Sequence, residues 1–427
     1  MSPEARISPL QVEQALRLLP DVDALAPLRA FLVSTSRGRD ATQPYRTVGT
    51  RLLLPADLTH AVPRAIARVT EHLRALYDAA VEALQAEQED DLPAAVASLL
   101  RAGELEVQVG RGTQAHAWYD QALRIAETLR DRRPEIAALR RFGDLKTRLG
   151  RFDIAARYYQ RSLAIAEAER DREGSARACH GLGEVALAQA KWQGAGSWYT
   201  RGLQYEADDP SLAAHLHLGL GEAARARGQF ETAEEQLGRA QRLFAAHGDD
   251  VGLARVLNAV GDLEALRERR PEALARYQEA FAHLRPVAGY PQLEIAIRLR
   301  ICQLYLDWGR LPDAEDEIRR AEETAIVHNA TPELARLYLV MGQVRGRQED
   351  DTGFVFFEKA IELCRGPEPT PRLEAEVYLE YGLFRKQLGE LEEAEAYLGR
   401  AREILEAIGN GPLLARVDAE LATLPTV

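Results

Sequence analysis

The 427-residue chain contains few cysteines and no long apolar run. Its three cysteines, Cys179, Cys302 and Cys364, are odd in number and have no paired spacing, which excludes a disulfide framework and favours a reducing compartment. No segment approaches the run of about 20 apolar residues that a membrane-spanning helix needs. The first residues also lack the basic-then-apolar order of a secretory signal. We therefore expect a cytoplasmic protein that does not insert into a membrane.

An excess of basic residues is also missing. The sequence has 54 Lys and Arg against 66 Asp and Glu, a formal charge of −12. Contacts to nucleic-acid phosphates need a basic face, so this balance makes nucleic acid an unlikely partner. With 46% hydrophobic and 28% charged residues, the composition is typical of a folded globular protein.

Enzyme signatures are absent or stand in the wrong context. The sequence contains no His-Glu-x-x-His, Gly-x-Ser-x-Gly or Gly-Lys-[Ser/Thr] pattern. Segments 181–183 and 219–221 are rich in glycine, but both are predicted inside helices and neither follows a strand, as a phosphate-binding loop would. His215 and His217 would point about 200° apart on a helix and could not share a metal ion. We therefore expect no enzymatic activity, no cofactor and no metal site.

The sequence repeats a short motif. A small residue, here called the lead residue of a copy, is followed twelve positions later by Ala, then after four by an apolar residue and after three by another small residue. Gly143, Ala155, Tyr159 and Ser162 form one clear copy. The lead residues of the eight copies are Gly103, Gly143, Gly183, Gly221, Gly261, Cys302, Gly342 and Gly382. Their steps of 38 to 41 residues indicate a repeat protein.

Each copy predicts a hairpin of two helices. A glycine seven residues after the lead, as at Gly150 and Gly228, predicts the end of the first helix, because glycine accepts a left-handed conformation without a Cβ penalty. The second helix carries its small residues and an aromatic residue on one face, and the aromatic ring is expected to fill the hole between copies. In the seventh copy Gly353 follows Gly342 one position early, which predicts a shortened loop.

Small residues at motif positions 8, 20 and 27 with an aromatic residue at 24 resemble the tetratricopeptide repeat, over about residues 92–410. The period of about 40 instead of 34, and the missing Trp at position 4 and Pro at 32, resemble the extended subclass found in kinesin light chains, Leu-Gly-Asn-repeat adaptors and bacterial peptide-responsive regulators. The resemblance implies an all-α fold, a right-handed α-solenoid of about eight helical hairpins with helical caps and a concave groove.

The segments outside the repeats are predicted to close the array, since an open end would expose an apolar face. Residues 63–91 predict a capping helix or incomplete repeat, and residues 411–427 predict a C-terminal capping helix. Residues 1–62 differ in character, with two short predicted helices and a polar linker. They form either an N-terminal cap on the first repeats or a detachable segment that docks into the groove or recruits a second partner.

In the tetratricopeptide family the groove is lined by fixed positions of the first helix. Carried onto this sequence, the position after the lead is acidic in the first five copies and is Gln303, Gln343 and Leu383 in the last three. The acidic residues are Glu104, Asp144, Glu184, Glu222 and Asp262. Other groove positions carry Arg140, Arg148, Arg177, His180, His215, Arg225, Arg255 and Asn258. We call these thirteen residues the predicted groove residues.

Two interpretations of the acidic positions remain open. The carboxylates either pair with arginines of neighbouring copies, which contributes only about 0–1 kcal/mol for each exposed pair, or they also bind an extended peptide or helix. The sequence favours a non-enzymatic scaffold or adaptor that binds a partner protein or peptide in its groove. The alternatives are a peptide- or GTPase-responsive sensor whose superhelix changes shape on binding, and an accessory subunit of a larger machine. The sequence specifies neither the partner nor an oligomeric state.

Overall fold

The computed structural model describes residues 75–76, 78–108, 112–205, 208–287, 290–328, 330–366, 370–408 and 410–424. Within these ranges the regular secondary structure is α-helical and contains no strand, which confirms the predicted all-α class. Residues 78–88 are helical. The predictions for residues 1–62, and for most of the segment before residue 75, lie outside the described residues.

The helices follow one another in pairs, one pair for each copy of the motif. The first helices are α1 (Leu92–Gln108), α3 (Arg133–Arg148), α5 (Arg172–Ala188), α7 (Pro210–Ala226), α9 (Asp250–Leu266), α11 (Pro291–Asp307), α13 (Thr331–Arg347) and α15 (Pro371–Gln387). The second helices are α2 (Gly112–Ala126), α4 (Phe152–Ala168), α6 (Trp192–Gln204), α8 (Phe230–Ala246), α10 (Arg270–Leu284), α12 (Leu311–Val327), α14 (Gly353–Cys364) and α16 (Leu391–Ile408). A single helix, α17 (Gly411–Leu421), follows them and packs its buried Val417 in a cluster with Leu405.

The first helices of copies two to eight end in the same left-handed turn. Gly150 and Gly228 have φ values of +68° and +72°, as their spacing predicts. The turn does not depend on glycine, because Ala190 occupies the same place with φ of +58°. There the amide of Lys191 donates to the carbonyl of Ala186 at 2.8 Å and satisfies the helix end. Non-glycine residues with this conformation at this turn are Ala190, Glu268 and Glu349.

The prediction of a shortened loop in the seventh copy was wrong. Its first helix ends at Arg347, in register with the other copies, but α14 begins only at Gly353, so five residues connect the two helices where three connect α3 to α4. Oδ1 of Asp350 accepts hydrogen bonds from the amide and the hydroxyl of Thr352, at 3.0 and 2.7 Å, and holds the additional turn. Gly353 therefore opens the second helix, with Phe384 of the next copy 3.0 Å from where its Cβ would lie.

The core is a row of clusters at the junctions between copies. Ala155 is fully buried, and the ring of Tyr159 lies between Gly143 of its own copy and Gly181 of the next. A Cβ on either glycine would lie 2.6 or 2.3 Å from that ring. The small residues therefore make room for the aromatic side chain, which fills the space between copies as predicted.

The array is curved with the first helices on its inner side. Consecutive first helices contact one another, whereas each second helix packs between the first helices of its own copy and the next, and no two described second helices pack together to a comparable extent. Elements on the inner side of a curved stack are the ones that lie closer together. Further along, Arg372 of α15 donates a hydrogen bond of 2.8 Å to the carbonyl of Ala188 at the end of α5. The eighth copy therefore contacts the third.

Candidate partner-binding surface

All thirteen predicted groove residues lie on first helices, from α1 to α9. On α3, α5, α7 and α9 they recur at steps of three, four or seven residues, as Arg140, Asp144 and Arg148 do on α3, so they share one face of that helix. The inner surface of copies two to five therefore carries these side chains in parallel rows, one row for each copy, and copy one adds Glu104.

The five acidic groove residues are called the inner carboxylates here. Three of them accept a hydrogen bond from a tyrosine on the second helix of the same copy. The pairs are Tyr159 with Asp144 at 2.6 Å, Tyr199 with Glu184 at 2.6 Å, and Tyr277 with Asp262 at 2.8 Å. In each pair the tyrosine ring is buried and the hydroxyl reaches the carboxylate between the two helices. Burial, and then the adjacent carboxylate, raise the pKa of all three tyrosines, so each hydroxyl keeps its proton and remains the donor.

This pairing has a sequence signature that the motif analysis missed. A tyrosine stands fifteen residues after the acidic residue in copies one, two, three and five. Copies six to eight have Gln303, Gln343 or Leu383 at the inner position and lack the tyrosine. Ile318 and Leu398 stand fifteen residues later in copies six and eight, and in copy seven, where the motif is one residue shorter, Phe357 stands fourteen residues later. The hydrogen bond could have been predicted from the sequence, because the acidic residue and the tyrosine occur together in the same copies. Copy four is the exception, because Glu222 is followed after fifteen residues by Leu237.

Two inner carboxylates pair with arginines of neighbouring copies. Glu104 of copy one forms an ion pair with Arg141 of copy two. Asp262 is approached by Arg225 of copy four at 3.6 Å and by Arg300 of copy six at 3.2 Å. Pairing between copies, one of the two interpretations of the acidic positions, is therefore present at these two residues.

Glu222 differs from the other four carboxylates. Leu237 packs against Gly221, with its Cδ2 2.7 Å from where a glycine Cβ would lie, and supplies no hydroxyl. Among the described residues, no hydrogen bond or ion pair reaches the half-buried Glu222 carboxylate. Burial, followed by the negative charge of Glu184, raises its pKa to about 7.

Polar atoms without partners lie near Glu222. Asn258 Oδ1 and Arg225 Nε are both shielded from solvent and have no hydrogen-bond partner in the described chain. Asn258 lies on α9 between Arg255 and Asp262, the two α9 residues whose charges act on Glu222. A shielded polar atom without a partner has an unfavourable free energy that a bound ligand can remove.

The two predicted groove histidines lie side by side. The rings of His180 and His215 are 6.0 Å apart in an edge-on arrangement. Nδ1 of His215 donates to the carbonyl of Ser211 at 2.8 Å, and Nε2 of His180 lies 3.9 Å from Glu184. Burial lowers the pKa of His180, so this ring is neutral at pH 7. The histidines extend the polar inner surface from copy three to copy four.

The predicted arginines have different surroundings. Nη2 of Arg177 lies 2.7 Å from Asp209, whose side chain accepts from the amide of Leu212 and caps α7. Arg177 therefore joins copies three and four. Arg140 is 3.9 Å from Asp144 on its own helix, whereas Arg148 is exposed and has no ion pair within the described ranges.

The inner surface changes beyond copy five. Copies six to eight form a recess of about 150 Å³ whose lining includes Gln303, Gln343 and Gln387. Phe357, Phe384 and the charged Arg347 and Glu380 also line it, so amide and aromatic side chains are more prominent here than in the rows of the earlier copies. In the part of the chain that the structure covers, no group of three or more His, Cys, Asp or Glu side chains is placed to hold a metal ion. Nor is any described helix both long and apolar enough to cross a membrane.

Comparison with known protein families agrees with this architecture. The family model described as tetratricopeptide repeat matches residues 135–205 and 211–285, which correspond to α3–α6 and α7–α10. Copies two to five therefore consist of tetratricopeptide repeats. Membership of the extended subclass stays a prediction. No curated protein matches the sequence.

Several solved structures are similar to this chain. The apo form of RapI has 13% identity over 74% of this chain and 99% of its own, with a TM-score of 0.41. A tetratricopeptide-repeat protein from Parabacteroides merdae has 15% identity over 66% and 98%, with a TM-score of 0.42. A Rap protein complexed with competence and sporulation factor has 12% identity over 94% and 99%, with a TM-score of 0.47. At these identities, none of the three indicates a partner for this chain.

Proposed function

We propose that this protein is a non-enzymatic scaffold that binds a segment of a partner protein, or a peptide, along the inner surface of its first helices. The observation that supports this proposal is a set of polar groups on neighbouring inner helices that have no hydrogen-bond partner among the described residues: the Glu222 carboxylate, Arg225 Nε and Asn258 Oδ1. For the two shielded atoms, Arg225 Nε and Asn258 Oδ1, the missing partner costs about 1–3 kcal/mol each. A bound segment that supplies the missing partners would recover part of that free energy.

The inner helices are fixed before any partner arrives. Asp171, Asp209 and Asp249 cap the first helices of copies three to five by accepting from backbone amides at 2.9, 3.1 and 2.8 Å. Each of these helices also packs against both neighbouring first helices. Because the scaffold is preformed, the ordering cost falls mainly on the bound segment. Mixed charges along the surface then give specificity and rapid association more than affinity.

A recognition role also suits the nucleophiles that the structure describes. Cys179 is buried, and burial raises the pKa of its thiol to about 11, so the unreactive thiol form predominates at neutral pH. The buried tyrosines donate to carboxylates and keep their protons. The proposal therefore assigns binding, and no catalytic step, to the inner surface.

Site-specific photo-crosslinking tests the proposal. A photoreactive phenylalanine derivative replaces the exposed Arg148 on the inner face of α3 in one variant, and the exposed Glu235 on the outer helix α8 in the matched control. In extracts of the producing cells, the Arg148 variant should form crosslinks to specific proteins or peptides, identified by mass spectrometry, that the Glu235 variant does not form. Equal crosslinking from both positions, or crosslinking from Glu235 alone, would contradict a role for the inner surface.

A second candidate function is a sensor whose superhelix changes shape when a peptide or a GTPase binds. The hydrogen bond between Arg372 and the Ala188 carbonyl favours it, because this contact joins copies three and eight and depends on the shape of all copies between them. Spin labels on cysteines placed at the exposed Lys191 and Pro371 would measure the separation, since the native cysteines are buried. A sensor requires that separation to change when the crosslinked partner is added, whereas a passive scaffold leaves it constant.

A further inference from the structure

The fourth copy departs from the rule that its neighbours follow. In copies two, three and five a tyrosine hydroxyl donates to the inner carboxylate, and in copy one Arg141 pairs with Glu104. Glu222 receives no donor from any described residue. Among the five acidic groove residues, Glu222 is therefore the one that has neither a hydrogen bond nor an ion pair within the described chain.

The fold does not need an acid at this position when the tyrosine is missing. Copies six to eight also lack the tyrosine, and they carry the uncharged Gln303, Gln343 and Leu383 where Glu222 stands in copy four. Their first helices nevertheless end in the same register and pair with a second helix in the same way. A half-buried, unpaired carboxylate is unfavourable for folding. Packing of the repeat thus gives no reason for the glutamate.

The groups around Glu222 indicate which kind of partner its carboxylate lacks. On α5 and α6, His180 is neutral, and Glu184 is engaged by Tyr199. On α9, Asp262 repels Glu222 and Arg255 attracts it, but Arg255 is exposed and forms no ion pair in the described chain. On its own helix, Arg225 also attracts Glu222 but lies 3.6 Å from Asp262, and His215 donates to a backbone carbonyl. Two guanidinium groups thus act on Glu222 from a distance, and neither donates a hydrogen bond to it within the described residues.

Asn258 indicates the shape of the missing donor. Its Oδ1 is shielded from solvent and has no hydrogen-bond partner among the described residues, and it lies on α9, the first helix of the copy that follows Glu222. Guanidinium groups present several N–H donors in one plane, and an ammonium group presents three, so either can serve two acceptors at once. Arg225 Nε, a donor without a partner, could be met by a main-chain carbonyl of the same ligand. An anionic ligand would be repelled by Glu184, Glu222 and Asp262.

We infer that copies three to five bind a segment through one basic side chain, an arginine or a lysine, whose charged head lies against Glu222 and Asn258. This inference rests on the function proposed above, and it names the chemistry that the inner surface recognises. Glu222 and Asn258 supply acceptors for the cation, and the neighbouring carboxylates favour its approach.

The test uses the full-length protein and a displayed library of random twelve-residue peptides. Peptides selected on the wild type should share an arginine or lysine at one position. Synthetic versions should bind the Glu222→Gln variant at least tenfold more weakly by fluorescence anisotropy. Replacing the shared basic residue with glutamine should weaken binding to the wild type equally, and should cause no further loss in the variant. Glu235→Gln, on the outer face of α8, is the matched control and should bind as the wild type does.

Leu237→Tyr is the second test variant, because it supplies the missing hydroxyl while leaving every charge in place. The ring of Tyr277 packs against Gly261 in copy five, and copy four has Gly221 at the same place against Leu237, so copy four has the same glycine opposite an introduced tyrosine. The variant should occupy Glu222 from within and reduce peptide affinity. A melting temperature that is unchanged or raised in Glu222→Gln would separate lost recognition from lost folding.

The outcomes distinguish the two proposals. Selected peptides that crosslink to the inner Arg148 position but share no basic residue, or bind Glu222→Gln unchanged, would overturn the assignment of Glu222 and leave the scaffold proposal standing. Selected peptides that crosslink only to the outer Glu235 position would overturn both.

Discussion

The hydroxyl of Tyr199 on α6 donates a hydrogen bond of 2.6 Å to the carboxylate of Glu184 on α5. This pair joins the two helices of one copy at the inner surface, and it recurs in copies two and five. A side chain that fills the space between copies therefore also holds a groove carboxylate in place. Packing and surface chemistry of the array are coupled through one residue type.

Removing that hydroxyl tests the coupling. Tyr199→Phe keeps the ring but removes the donor to Glu184, and we expect a loss of about 1 kcal/mol in the free energy of unfolding. Urea denaturation followed by circular dichroism measures the change. Tyr290→Phe, at an exposed tyrosine, is the matched control and should change stability by much less. Equal stability of Tyr199→Phe and the wild type would show that the hydrogen bond contributes nothing net.

The free energy of unfolding should depend on pH through the ionisation of Glu222. Its pKa is raised from 4.5 to about 7 in the folded protein. A group whose folded pKa is raised stabilises the fold fully below its unfolded pKa and loses that contribution as pH rises through the folded value. We therefore expect Glu222→Gln to gain stability relative to the wild type between pH 5 and pH 8. Denaturation at both pH values measures this difference, and a constant difference would contradict the raised pKa.

Binding of a basic peptide should depend on pH in the opposite direction. The cation prefers ionised Glu222, so affinity should fall about tenfold from pH 8 to pH 6 for a pKa near 7. Anisotropy titrations across this range provide the measurement. The Glu222→Gln variant should lose most of this dependence, and an equally steep profile in the variant would assign it to another group.

A glycine at a junction between copies and a glycine elsewhere on a helix should tolerate substitution very differently. A Cβ on Gly181 would lie 2.3 Å from the ring of Tyr159, so Gly181→Ala should overpack the interface and destabilise the protein by about 1–3 kcal/mol. Gly196, inside α6, has no neighbour within 4 Å of its Cβ position. Gly196→Ala should instead stabilise by up to about 1 kcal/mol, because alanine favours the helix. Melting temperatures that move in the same direction would contradict the packing described.

The left-handed turns allow a reciprocal exchange. Gly228 has φ of +72°, and Ala190 occupies the equivalent place with φ of +58°. Gly228→Ala should destabilise by about 1 kcal/mol, because a Cβ is unfavourable in this conformation. Ala190→Gly should destabilise less or be stabilising, because it relieves that strain while loosening the unfolded chain. Calorimetry of the two single variants provides the comparison, and an identical effect of both would contradict it.

Much of the fold could be predicted from the sequence because it is specified within one copy. The small residue, the alanine twelve positions later and the turn glycine lie close together in the chain, and Gly143, Ala155 and Gly150 locate both helices of copy two. The late start of α14 could not be predicted from this spacing, because its extra turn is held by the side chain of Asp350.

The candidate surface was predicted as a set of positions, but not as a set of contacts. Its thirteen residues do lie on first helices. The hydrogen bonds from the tyrosines were not predicted, because burial of the ring already explains a tyrosine at this position and gives no indication of what its hydroxyl contacts. The contact between Arg372 and Ala188 was missed for a different reason, since it brings together two residues that are 184 positions apart.

That same contact has a mechanical consequence. Arg372 and the Ala188 carbonyl are separated by the interfaces that run from copy three to copy eight, and each interface sets its own small angle between neighbours. Displacements along such a stack add up toward its far end. The distance between Arg372 and Ala188 therefore depends on the angles at all interfaces from copy three to copy eight. A ligand that changes several of these angles slightly affects the hydrogen bond more than a ligand that distorts a single copy.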